Sequence, residues 1–99
     1  MLTGKQRAHL RGLANTMETI LQVGKSGVSE NTVAQAAEAL EARELVKMRV
    51  LETCPQTARE AAGILAESAG AEIVQVIGTR FVLYKRNKKE PKIKLDDKT

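Results

Sequence analysis

The sequence predicts an α+β domain in the order α-β-α-β-α-β-β, with a four-stranded mixed sheet packed against helices. Three observations carry that prediction. Apolar residues recur at helical spacing in three segments, each opened by a capping residue. Val46, Met48 and Val50 alternate with Lys47 and Arg49, which is the period of a half-buried strand. Gly78-Thr79 separates two β-rich runs, as a tight hairpin requires.

Taken in order, Thr3 and Gln6 have capping-box spacing, and Leu10, Leu13 and Ala14 follow on one stripe of a first helix. Asn15-Thr16 ends it. Ile20 to Val23 reads as a short buried strand that stops at Gly24. Ser29 is the expected cap of a second helix: its hydroxyl can accept from first-turn amides, and Glu30 complements the helix dipole. Val28 and Val33 flank that cap at hydrophobic-staple spacing. Val33, Ala36, Ala37 and Leu40 form its apolar stripe, and the alanines imply close approach to a sheet. Leu45 to Leu51 is the second strand, ended by Cys54-Pro55. Thr57 and Glu60 repeat the capping box, Ala58, Ala61, Ala62, Leu65, Ala66 and Ala69 supply the third apolar stripe, and Gly70 is placed to stop the helix. Ala71 to Ile77 and Arg80 to Arg86 are the last two strands, joined by a type II′ turn with glycine first. Residues 1–86 are then the folded domain. Asn87 to Thr99, charged and interrupted by Pro91, is expected to be a flexible tail.

Composition narrows the function. Ninety-nine residues support one core, and the net charge of +4 with a pI near 9.5 makes nucleic acid a reasonable partner. No acid precedes Glu18, whereas Lys5, Arg7 and Arg11 lie in that opening segment, and Lys85 to Lys98 holds seven cations against three acids. This polarity suggests a basic patch. Phe81 and Tyr84 are the only aromatics, which argues against recognition by several stacked bases. A single cysteine, Cys54, excludes an intramolecular disulfide and a cysteine metal cluster. The expected setting is cytoplasmic, since no apolar run approaches the roughly 20 residues of a membrane span. Enzyme signals are poor. His9 stands alone among cations, Cys54 has no histidine near it in sequence, and Glu38, Glu41 and Glu44 read as a solvated helix face.

The candidate site is Gly24-Lys25-Ser26-Gly27, between the first strand and the second helix. Glycines bracketing a cation let backbone approach a phosphate closely, and the spacing is that of the GxxG loop of KH-type RNA-binding modules. Exposed amides, the positive end of the following helix, Lys25 and a Ser26 hydroxyl would all favour a phosphate there. A nucleotide-binding P-loop is excluded, because its first glycine would fall at Thr19 and its loop would overlap the strand. Arg7 and Arg11 are candidates to extend the patch. Lys47 and Arg49 either extend it too or coat the solvent face of the sheet. A protein-interaction module and a small DNA-binding domain are the rival classes. The core-like helix stripes weigh against the first, and the absence of a helix-turn-helix pattern weighs against the second.

Several segments together resemble the CRM domain, the family named for chloroplast RNA splicing and ribosome maturation. They are Leu2 to Arg7 with Leu10-Arg11 and Leu13-Ala14, Gln22 to Val28, Glu44 to Lys47, Val76 to Gly78 and Val82 to Arg86. The likeness is to stand-alone bacterial YhbY-like members and runs in order from about residue 2 to residue 95. It implies a KH-like fold similar to the C-terminal domain of translation initiation factor three. It also implies an RNA-binding protein that associates with precursors of the large ribosomal subunit, without enzymatic activity. A monomer needing no cofactor or metal is expected. The family's loop carries over onto Gly24, Lys25, Ser26 and Gly27, and its first-helix cations onto Lys5, Arg7 and Arg11. The loop follows a strand here, whereas in KH domains it joins two helices.

Overall fold

Each of the three helices starts on a side chain that pairs with its own first turn. The computed structural model describes residues 2–87 and residue 93, with α1 (Gly4–Ala14), β1 (Leu21–Val23), α2 (Glu30–Arg43), β2 (Leu45–Val50), α3 (Ala58–Ala69), β3 (Glu72–Ile77) and β4 (Arg80–Tyr84). Thr3 and Gln6 form a reciprocal box before α1, and Thr57 and Glu60 form one before α3. At α2 the Ser29 hydroxyl accepts from the Thr32 amide, and the Thr32 hydroxyl, standing where Glu or Gln is usual, accepts from the Ser29 amide. Gly70 ends α3 in the left-handed conformation at φ 68.

The strands form one mixed sheet in the order β1-β2-β4-β3. β1 and β2, joined through α2, are parallel, and the other neighbours are antiparallel. The β3–β4 turn has Gly78 at φ 58, and Thr79 has no positive φ, so type I′ is excluded and type II′ fits. Alternation along β2 divides the faces. Val46, Met48 and Val50 meet Ala36 and Leu40 of α2 and Ala61, Ala62 and Leu65 of α3 in the main core, with Phe81 and Leu83. Leu45, Val82 and Tyr84 face the other way, against Leu10 and Ala14 of α1. An extra residue in β3, between Ile73 and Gln75, lets Val74 join this second cluster. Helices therefore cover both faces, but α1 spans only part of its own.

Glu44 departs from the solvated face read from the sequence. Glu38 and Glu41 are exposed, yet Glu44 is wholly buried. It caps the end of α2 at φ 65, a region that residues with a Cβ avoid, and the chain turns there directly into β2. Its carboxylate accepts from the backbone amides of Asn87 and Ile93, each at 2.7 Å, and its carbonyl accepts from the Lys85 amide at 2.9 Å. Those partners are 43 and 49 residues away for the side chain, beyond the reach of local pattern. Ile93 also packs on the second cluster. Asn87 and Ile93 belong to the stretch expected as tail; the remainder of that stretch lies outside the described residues.

Tyr84 gives the fold a pH signature. Burial, then the nearby Glu44 carboxylate, raises its phenol above the ordinary 10.0, and its hydroxyl has no hydrogen-bond partner among the described residues. Above pH 10 the unfolded chain releases this proton before the folded one does, so the folded state binds more protons and stability falls as pH rises. Tyr84→Phe is expected to flatten that alkaline loss while leaving stability at pH 7 unchanged or slightly higher. Urea unfolding at pH 7 and pH 10.5 measures both effects; an equally steep loss in the variant would assign it to other groups.

Candidate nucleic-acid interface

β1 stops because its last carbonyl, on Val23, accepts from the Leu51 amide beyond β2, and the chain must then cross to the α2 side. Gly24 to Gly27 makes that crossing as a four-residue turn, closed by the Gly27 amide donating to the Gly24 carbonyl at 2.9 Å. Lys25 and Ser26 occupy the corners, both exposed. The two glycines are not equivalent. Gly27 is buried at φ 69, and a Cβ there would collide with Gln56 Oε1 and lie 3.0 Å from Pro55 Cγ. A Cβ on Gly24 would make an ordinary 3.6 Å contact with Leu51. Gln56 Oε1 accepts from the Val28 amide at 3.1 Å, so the loop is anchored on the segment preceding α3.

That anchoring narrows what the loop offers an anion. The amides of Gly27, Val28, Ser29 and Thr32 are all engaged within the chain. The donors left at the tip are the Lys25 ammonium, the Ser26 hydroxyl and the corner amides. They form a small cationic knob rather than a backbone cradle.

The first-helix cations do not gather around this knob. α1 starts beside Glu72, whose carboxylate accepts from the Leu2 amide, and ends beside Lys47. Glu72 pairs with Tyr84, which pairs with Leu45 at the start of β2, whereas the glycine loop follows Val23, opposite Val50 at the end of β2. Lys5 and Arg7 thus belong to the far end of the sheet. Lys5 is exposed, and Arg7 is half-buried with an unpartnered Nε. Arg11 is exposed and lies nearer the middle of the sheet.

Lys47 and Arg49 project on the α1 face, and they do different things. Lys47 Nζ donates to the carbonyls of Ala14, at 3.3 Å, and Met17, at 3.5 Å. It therefore caps the end of α1, placing its charge where the helix dipole is negative. The sequence left Lys47 either in the basic patch or on the solvent face of the sheet; its ammonium is instead engaged with the end of α1. Arg49 lies two residues further along β2, toward the glycine-loop end of the sheet, and is half-buried. Its Cα neighbours across the strands are Gln22 and Arg80. Arg80 was not singled out from the sequence; alternation against buried Phe81 places it on the α1 face, but only the sheet register sets it beside Arg49. A shallow cavity of about 170 Å³ borders it, between Asn15, Lys47, Gln75 and Ile77.

Among the described residues no group of three or more His, Cys, Asp or Glu side chains could hold a metal, and no helix is long and apolar enough to cross a membrane. The family model CRS1/YhbY (CRM) domain matches residues 2–85. "Probable RNA-binding protein YqeI" of Bacillus subtilis is 46% identical over 95 residues, covering 96% of this chain and 99% of that relative. An "RNA-binding protein" of Haemophilus influenzae is 33% identical over 97 residues, covering 98% and 97% respectively. The solution structure of a Staphylococcus aureus protein put forward as RNA-binding superposes with a TM-score of 0.80 at 43% identity, covering 97% of this chain and all of that one.

Proposed function

Because the chain belongs to the CRS1/YhbY (CRM) domain family, we propose that it is a non-catalytic RNA-binding protein that holds ribosomal RNA on precursors of the large ribosomal subunit. It acts as a cytoplasmic monomer, with residues 1–86 as the binding domain followed by a charged segment. The observation that carries this reading is the hydrogen-bonded turn at Gly24–Gly27, which presents Lys25 and Ser26 to solvent on a basic domain. Relatives matched over nearly their whole length are named for RNA binding, which supports RNA over DNA or protein as the partner. Scarcity of aromatics points to contacts with phosphate rather than stacked bases.

Affinity for large-subunit ribosomal RNA is expected to be strongly salt-dependent. If about five phosphates are neutralised, log affinity falls against log salt with a slope near −3.5, at roughly −0.7 per contact. A slope near zero would overturn the phosphate-gripping mechanism. Sedimentation of cell extracts tests the assignment to assembly: the protein travels with large-subunit precursors more than with mature ribosomes, and high salt releases it. Recovery only with DNA, or in a protein complex that survives ribonuclease, would overturn the RNA reading.

A further inference from the structure

Arg49 and Arg80 are direct cross-strand neighbours in an antiparallel ladder. The Val50 amide donates to the Thr79 carbonyl at 2.8 Å, which makes Arg49 and Arg80 the non-hydrogen-bonded type of pair. In that type side chains stand closest, with Cα atoms about 4.5 Å apart. Like charges placed so are destabilising unless something of opposite sign lies between them. Neither arginine has a salt-bridge partner among the described residues, and neighbouring Gln22 and Ile77 in the same row across the sheet are uncharged. Arg49 adds a second oddity, since its Nε is buried without a hydrogen-bond partner. Two guanidinium groups side by side on one face of the sheet are suited to a divided anionic group, which their solvent-facing nitrogens would meet.

We propose that Arg49 and Arg80, flanked by Gln22, form a second phosphodiester-binding subsite on the open part of the sheet, separate from the glycine loop. The inference rests on the RNA-binding reading above. Both subsites lie at the same end of the sheet, because Gln22 precedes Gly24 by two residues and Val23 pairs with Val50, next to Arg49. Arg80 is two strands from β1, about 10 Å at the usual strand spacing. The arginines face the α1 side and the loop crosses toward α2, so an RNA backbone gripped at Lys25 would reach the pair by passing the edge strand β1. Past the pair, the exposed Ile77 side chain and the end of α1 bound the open surface.

The test is the double substitution Arg49→Gln, Arg80→Gln in the full chain. RNA affinity is expected to drop about tenfold. The salt slope should become shallower by about 1.4, for two lost contacts at roughly 0.7 each. Without RNA, the melting temperature at low salt should hold or rise, because a like-charge pair is removed. Inorganic phosphate titrated into the parent protein should shift the Arg49 Nε–Hε resonance in a ¹H–¹⁵N spectrum, and Arg80→Gln should abolish that shift. If the parent binds RNA and the folded double variant binds with the same affinity and slope, the subsite is overturned while the RNA reading stands. If the parent itself binds no RNA, the RNA reading fails first. A double variant that melts well below the parent at low salt would assign the arginines a structural role and overturn the subsite.

Discussion

Glu44→Gln lowers the stability of the domain by about 3 kcal/mol, the cost of leaving a buried backbone donor unsatisfied and facing another donor. In the parent, both carboxylate oxygens accept from main-chain amides at 2.7 Å in a site closed to solvent. Glutamine keeps one acceptor and turns an amide N–H toward the second main-chain donor, so the isosteric change is not conservative. The melting temperature should fall by roughly 15 °C for a domain of this size. Backbone conformation gives a second, sharper readout. Residue 44 sits at φ 65, where glycine is at ease and alanine is not. Glu44→Ala should therefore be less stable than Glu44→Gly, by about 1 kcal/mol, although both lose the carboxylate. Equal stability of parent and Gln variant in denaturant unfolding would show that the residues after Tyr84 are not held by this side chain.

Replacing Lys25 and Ser26 with aspartate lowers RNA affinity at least tenfold and leaves the melting temperature nearly unchanged. Two negative charges then stand where phosphate is proposed to bind, and attraction becomes repulsion. The fold is expected to tolerate the change because the turn is closed by main-chain atoms of Gly24 and Gly27, and because both altered side chains are exposed. Aspartate is also compatible with the corner of a tight turn. Gly27 itself is a poor probe, since any Cβ collides with Gln56 and disturbs the Val28 anchor. The comparison is Glu38→Gln with Glu41→Gln, which alters charge on the exposed face of α2. A loss of affinity confined to the loop variant supports the knob as a phosphate contact. Parent-like binding by a well-folded Lys25→Asp, Ser26→Asp protein would reduce the loop to a connection between β1 and α2.

Features that depend on short stretches of chain are legible in the residues themselves. Thr3, Ser29, Thr57 and Gly70 marked helix ends because a cap acts within one turn. Val46, Met48 and Val50 marked β2 because side chains alternate every residue along a strand. Gly24-Lys25-Ser26-Gly27 announced a tight connection between two such elements. Tertiary structure decided everything that depends on residues meeting across the sheet. Lys47 reads as a patch cation or a solvent-facing one until the register of β2 carries it under the end of α1. Glu44 reads as one of three surface carboxylates until the Asn87 and Ile93 amides meet it. Arg49 and Arg80, separated by two other secondary-structure elements, become neighbours only when β4 pairs with β2. The physical reason is common to all three: a charged side chain in sequence specifies a cost of burial, and only the folded chain supplies, or withholds, the partner that offsets it.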